Sequence, residues 1–174
     1  IGIWKSVYLE LHNGLEIQDE FVKVESISDD VAIVRVFARI NCFEKPSEVE
    51  IEVFDGSFSV KVFPEVYKSK DGYFIDERIE IENPKLWWPN GYGEPSLYEF
   101  KITAKSSNEA QEKKVTTGLR TVRVIKEKDE YGESFIFEIN GKKIFAKGAN
   151  WIPADSILPR LKEDDYKALI KMAK

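Results

Sequence analysis

The sequence predicts a mainly β fold, an immunoglobulin-like antiparallel β-sandwich, on two observations. Apolar and polar residues alternate with period two through one short segment after another, and Gly, Pro, Asn and Asp separate those segments. A third observation marks where the sandwich stops. After residue 126 the pattern gives way to a hairpin, a loop and a run of apolar residues at helical spacing. Strand, loop, helix is the order of an α/β unit, not of a sandwich.

Side chains on a strand point to opposite faces in turn, so each strand is read from its alternation. "VYLEL" is expected to bury Val7, Leu9 and Leu11, and "FVKVESI" follows it. "VAIVRVFARI" sets Ala32, Val34, Val36, Ala38 and Ile40 on one unbroken apolar face. "VEIEVF" sets Val49, Ile51 and Val53 against Glu50 and Glu52, and Asp55-Gly56 then turns the chain into "FSVKVF" as a hairpin. "YFIDERIEI" offers Ile75, Ile79 and Ile81, "LYEFKITAK" offers Tyr98, Phe100, Ile102 and Ala104, and "LRTVRVI" closes the series. Seven or eight strands at this spacing, over roughly Val7 to Ile125, suit a sandwich, although the Cys-Trp-Cys signature of antibody domains is missing. Beyond "KEKDEYGES", "FIFEINGKKIFAKG" is a hairpin turned by Asn140-Gly141. From Glu163 onward Tyr166, Leu169, Ile170 and Ala173 recur at helical spacing, with Glu163, Asp164 and Asp165 at the positive end of the helix dipole.

Composition narrows the function classes. The chain has 174 residues, of which 43% are hydrophobic and 13% aromatic, enough for a sizeable core. No window approaches the uninterrupted run of about 20 apolar residues that a membrane-spanning helix needs. The 26 basic and 31 acidic residues, net charge −5, are interleaved, which speaks against nucleic acid as a partner. Abundant Glu and Lys with scarce Gln, Met and Cys lean towards a thermophilic composition. Cys42 has no partner for a disulfide and falls in phase with Ile40 and Ala38, so a buried apolar thiol is expected. The single His12 is expected on the polar side of its strand, which leaves a His-based triad or a metal site unsupported. No cofactor is expected. No signal peptide is legible, so a cytoplasmic location is expected, with the reservation that the opening "IGIWKSVYLE" reads as lacking a natural start.

Two stretches are candidates for chemistry. In "LWWPNGYGEPSLY" Trp87, Trp88 and two tyrosines could stack on sugar rings. The other reading is structural: Pro89-Asn90-Gly91 is a turn, and adjacent tryptophans on an extended chain face opposite ways, one into the sandwich and one towards a neighbouring domain. The second stretch is "FEINGKKIFAKGANWIPADSILPRL", Phe137 to Leu161.

"GIWKSVYLE", "NPKLWWPNGYGEPSLYEF", "GLRTVRV" and "FEINGKKIFAKGANWIPADSILPRL" together resemble successive landmarks of glycoside hydrolase family 2, and within it the β-mannosidase branch. The resemblance implies that residues 1–6 are the tail of a preceding sugar-binding-like sandwich. Residues 7–126 would be the immunoglobulin-like domain, and residues 127–174 a linker and the start of a (β/α)8 catalytic barrel. "IFAKGAN" would be the first barrel strand and "WIPADSILPRL" the loop at its C-terminal end, where such barrels build their active sites. Asn150, Trp151 and Asp155 would then lie at the sugar pocket. In the alternative reading, Trp151 packs under the loop, Pro153 stiffens it and Asp155 caps a turn. Retaining hydrolysis needs two carboxylates about 5 Å apart. In the family these come from later barrel strands, so the resemblance assigns no catalytic residue here and implies that the chain by itself is silent. Its partners would be a carbohydrate, through the longer enzyme, and other domains of the same polypeptide. Two rivals stand beside this reading: a free-standing carbohydrate-binding or adhesive sandwich, and a family 2 enzyme for a galactoside, glucuronide or glucosaminide.

Overall fold

A computed structural model describes residues 3, 5–12 and 14–173. The chain divides into two compact units, Leu11–Phe145 and Ile1–Glu10 with Ala146–Lys174. The larger unit is the predicted antiparallel sandwich with a small sheet appended.

One sheet has the order β1-β2-β6-β5, built from β1 (Leu15–Ile27), β2 (Val31–Cys42), β5 (Tyr67–Ser69) and β6 (Gly72–Glu82). The other has the order β4-β3-β7-β8, built from β3 (Glu48–Phe54), β4 (Ser59–Val62), β7 (Tyr98–Lys105) and β8 (Ala110–Thr117). All pairings within them are antiparallel. The core lies between the inner faces, with Ala32, Val34, Val36, Ala38 and Ile40 on one side and Val49, Ile51, Val53, Phe100, Ile102 and Ala104 on the other. The strict alternation read from β2, β3 and β7 is therefore the burial pattern observed, because each of these strands has one face on the core. Cys42, at the end of β2, is half-buried and packs against this core. On the outer face of the first sheet Phe21, Phe37, Phe74 and Tyr67 form a stacked ladder, with ring centroids 5.1, 6.1 and 5.4 Å apart in succession.

Three expectations need correction. Val7, Leu9 and Leu11 lie in no strand and are exposed; the alternation there finds no pairing partner among the described residues, and Leu15 and Ile17 fill the core in their place. His12 accordingly lies outside any strand, with Nδ1 2.6 Å from Gln111 Nε2 on β8. β9 (Val122–Ile125) does not close the sandwich. It pairs with β10 (Ile136–Ile139), which pairs with β11 (Lys142–Ile144), making a separate three-stranded antiparallel sheet. The β10–β11 hairpin turns at Asn140-Gly141 as expected, with φ of 49° and 75° at the two positions, as a two-residue primed turn requires.

β1 is an edge strand, and its register on β2 shifts twice, between Gln18 and Phe21 and between Val24 and Ser26. Two of its backbone N–H groups are met by side chains at the start of β8: Leu15 N donates to Oε2 of Glu109, just before that strand (3.3 Å), and Ile17 N to Oε1 of Gln111 on it (2.8 Å).

The β3–β4 turn is held by one carboxylate. Asp55 Oδ1 accepts from Ser57 N (2.9 Å), Phe58 N (2.8 Å) and Ser57 Oγ (3.0 Å), and Asp55 Oδ2 faces Lys85 Nζ at 2.8 Å. The hydrogen bond from Lys85, then the backbone N–H groups, hold this carboxyl well below the usual carboxylate range against the opposing effect of burial. A depressed folded-state pKa means that the stabilisation is complete above the unfolded value of about 3.9 and is lost as pH falls below it. Asp55→Asn is therefore expected to cost about 1–2 kcal/mol at pH 7. In urea titrations the gap from the parent chain should narrow steadily as pH falls below about 4; a gap independent of pH would show that the charge is not what holds the turn.

The smaller unit contains a 3-10 turn, Leu158–Arg160, and one helix, α1 (Glu163–Ala173). The predicted acidic start is used as a cap: Lys162 N donates to Asp165 Oδ2 (2.8 Å) and Asp165 N to Lys162 O (3.1 Å). Lys167 pairs with Glu163 at 2.7 Å one turn back. No residue of α1 is buried; on its apolar stripe Leu169 is half-buried, and Tyr166 and Ile170 are exposed.

Candidate functional site

Residues 145–157 carry no strand. A parallel barrel strand takes its hydrogen bonds from strands on either side, and none flanks "IFAKGAN" beyond the β10–β11 pairing that ends at Ile144. Asn150, Trp151 and Asp155 thus share one irregular segment. Asn150 is exposed, Trp151 is 56% exposed, and Asp155 is half-buried. Asp155 Oδ1 accepts a hydrogen bond from Ile157 N at 2.7 Å, an Asx turn that leads into the 3-10 turn at Leu158. The exposed indole of Trp151 is the one large apolar surface among the three, and Asn150 carries both donor and acceptor beside it. Such a pairing can stack on a pyranose and hydrogen-bond its hydroxyls.

The Trp87–Trp88 loop is spent on packing. Trp87 N donates to Leu119 O (2.9 Å) and Trp88 N to Glu94 O (3.0 Å), while Trp87 bridges to Pro95. The Arg120 guanidinium lies 4.7 Å from the centre of the Trp87 ring. Gly118 lies so close beneath Trp87 that a Cβ there would stand 2.4 Å from Trp87 Cβ, and Gly93 stands in the same relation to the Trp88 ring, at 2.7 Å. Tyr92 reaches the small sheet, where its hydroxyl accepts from Phe145 N at 3.2 Å. Of the two readings of this loop, the contacts favour the structural one.

Asn140 joins these parts, and sequence reasoning took it only for a turn residue. Its Oδ1 accepts from Thr121 N (2.9 Å), its Nδ2 donates to Trp87 O (3.0 Å) and its own N donates to Thr121 O (3.1 Å). One amide thus ties the hairpin turn to the start of β9 and to the tryptophan loop. The only signal in the sequence was the Asn-Gly pair itself, since neither partner is near it along the chain. A recess of about 320 Å³ opens beside it, lined by Ile27, Pro84, Leu86 and Thr121 among others, and none of the predicted site residues lines it. Among the described residues, no group of three or more His, Cys, Asp and Glu side chains could hold a metal ion, and no helix is long and apolar enough to cross a membrane.

Comparison with known proteins identifies the architecture. The family model described as glycosyl hydrolases family 2 matches residues 15–120. The β-mannosidase B of Aspergillus oryzae is 34% identical over 173 residues, covering 98% of this chain and 20% of its own length. The crystal structure of the β-D-mannosidase of Dictyoglomus thermophilum superposes with a TM-score of 0.86 at 37% identity, over 99% of this chain and 22% of that one. A Parabacteroides merdae β-glucuronidase shares the fold alone, with a TM-score of 0.59 at 19% identity over 78% of this chain and 16% of its own. The chain thus spans about a fifth of the length of the curated relatives it matches. With its antiparallel sandwich, its tryptophan loop and a family match across residues 15–120, the chain belongs to glycosyl hydrolases family 2.

Proposed function

We propose that this chain is part of a retaining β-mannosidase that releases terminal β-linked mannose. In that enzyme residues 7–126 form an immunoglobulin-like supporting domain, and residues 127–174 lead into the catalytic barrel. The observation that carries the reading is the likeness to the Dictyoglomus thermophilum β-D-mannosidase, at 37% identity over 99% of this chain, where the β-glucuronidase reaches 19% over 78%. Asn150, Trp151 and Asp155 would sit on the loop at the rim of the sugar pocket. Asp155 would hold the loop in shape through its bond to Ile157 N, and Trp151 would offer its face to the sugar. The two carboxylates of the mechanism lie outside the chain, so the chain by itself is silent.

The test is an assay of 4-nitrophenyl β-glycosides. The full-length enzyme is expected to prefer the mannoside over the galactoside, glucuronide and glucosaminide, and residues 1–174 alone are expected to turn over none of them. In the full-length enzyme Trp151→Ala should raise KM for the mannoside about three- to tenfold, the loss of one stacking contact. A preference for another glycoside would reassign the sugar, and turnover by residues 1–174 that survives repurification would overturn the reading.

A further inference from the structure

Three Asn-Gly pairs occur in the chain, at Asn13, Asn90 and Asn140. The first lies outside the described residues. In such a pair the glycine has no side chain to shield its backbone nitrogen from the carboxamide of the asparagine before it, so the two groups can react with one another. Whether they do depends on how each carboxamide is held. Asn140 is half-buried and fixed at both ends, with Oδ1 accepting from Thr121 N and Nδ2 donating to Trp87 O. Asn90 is exposed, and its carboxamide makes no hydrogen bond among the described residues. It sits in a turn closed by Tyr92 N, which donates to Pro89 O at 3.0 Å, with Gly91 at φ 83°, the place and conformation that a type II turn gives to glycine. The Gly91 N–H is likewise unbonded among the described residues. A Cβ added at Gly91 would meet nothing within 4 Å, so the space around that nitrogen is open.

We propose that Asn90 is a site of spontaneous deamidation, and that the clamp on Asn140 spares the other described pair from the same reaction. Hydroxide takes the proton from Gly91 N, and that nitrogen bonds to Asn90 Cγ. The Cγ–Nδ2 bond then breaks, the departing nitrogen takes a proton from water, and ammonia leaves a succinimide ring behind. Water opens the ring at either carbonyl, giving aspartate or isoaspartate, with nothing oxidised or reduced. At Asn140 the same closure has to turn the carboxamide about its Cα–Cβ bond, which first breaks the bonds to Thr121 N and Trp87 O. The reaction at Asn90 bears on the tryptophan loop. Isoaspartate inserts one extra atom into the backbone between Pro89 O and Tyr92 N, so the bond that closes the turn loses its register.

The test is to incubate the folded full-length protein in mildly alkaline buffer and to follow both sites by mass spectrometry after a brief, mildly acidic tryptic digest. Cleavage after Lys85 and Lys101, and after Lys128 and Lys142, isolates each pair in a peptide with no other Asn or Gln. The readout is the fraction of each peptide whose amide nitrogen has been replaced by oxygen. Conversion at Asn90 is expected to run at least about tenfold faster than at Asn140, where the clamp has to open before the ring can close. In urea-unfolded protein the two rates should come together, because both asparagines precede glycine. Comparable rates in the folded protein, or an Asn90 that stays unconverted there, would overturn the proposal. So would a gap that persists unchanged in urea, since it would then come from the local sequence and not from the fold. Asn90→Gln should abolish the mass gain in its peptide, because the longer side chain closes a larger ring more slowly; a gain at the parent rate would place the reaction elsewhere and refute the assignment.

Discussion

Replacing Phe100 with alanine is expected to lower the stability of this chain by about 3–5 kcal/mol, the range for deleting a buried phenylalanine ring. Phe100 is fully buried at the middle of β7, paired with Val53 on β3 and with Val115 on β8, so the strands on both sides would face the cavity. The site has little freedom to collapse. Ladder hydrogen bonds fix the backbone of β3, β7 and β8, and the facing sheet is packed with β-branched side chains of narrow rotamer choice. Against a typical total of about 5–15 kcal/mol, such a loss removes a large share of the folding free energy. Urea unfolding followed by circular dichroism reads it as a fall in the midpoint at unchanged slope. A cost below about 1 kcal/mol would mean that the two sheets do not share one core.

The second large effect is expected at Gly118, and it comes from an added atom. An alanine Cβ would stand 2.4 Å from Trp87 Cβ and 2.5 Å from Trp87 Cγ, distances that side-chain rotation cannot relieve because the nearest atom is fixed to the backbone. Either the Trp87 backbone or the β8–β9 connection has to move. Moving either one strains the bonds from Trp87 N to Leu119 O and from Asn140 Nδ2 to Trp87 O. Gly118→Ala should therefore cost about 2–3 kcal/mol, as overpacking does in a tight site. It should also loosen the small sheet, which hydrogen exchange would register as faster exchange at the amides of Thr121 and Asn140. Gly141→Ala is the informative contrast. Its Cβ meets nothing within 4 Å, and its penalty comes only from the positive φ of 75°. If Gly118→Ala cost no more than Gly141→Ala, the close packing of the tryptophan loop would be refuted.

The strands that were legible in the sequence are those whose two faces see different solvents. β2, β3 and β7 each carry apolar residues at every second position because the core enforces it, and β6 shows the same at Ile75, Ile79 and Ile81. β8 was not legible. "AQEKKVTT" is an edge strand with Gln111, Lys113, Val115 and Thr117 as its half-buried positions, so only Val115 shows the apolar signal, and the long polar side chains cover the sheet with their stems. "VYLEL" failed in the opposite sense, since alternation without a partner strand is only a pattern. The assignment of β9 to the small sheet depended on pairing with β10, and pairing between strands is a non-local property that no single window contains. For the candidate loop, the sequence left two readings open, a place at a sugar pocket and a turn capped by Asp155, and the Asx turn to Ile157 agrees with the second without deciding the first. The clamp made by Asn140 was hidden because the groups that its amide meets, Trp87 O and Thr121 N, lie far from it along the chain.

The two register shifts in β1 bear on how the molecule behaves when concentrated. An extended strand from a neighbouring molecule could add itself to an exposed sheet edge only by matching donors and acceptors in unbroken phase over several residues. Along β1 that phase is reset at Gln18–Phe21 and again at Val24–Ser26, and at the other end the N–H groups of Leu15 and Ile17 are already occupied by Glu109 and Gln111. An incoming strand would find runs too short to zip along. The longest strand of the sandwich, which would otherwise be its best template for fibrillation, is thereby unsuited to seed one.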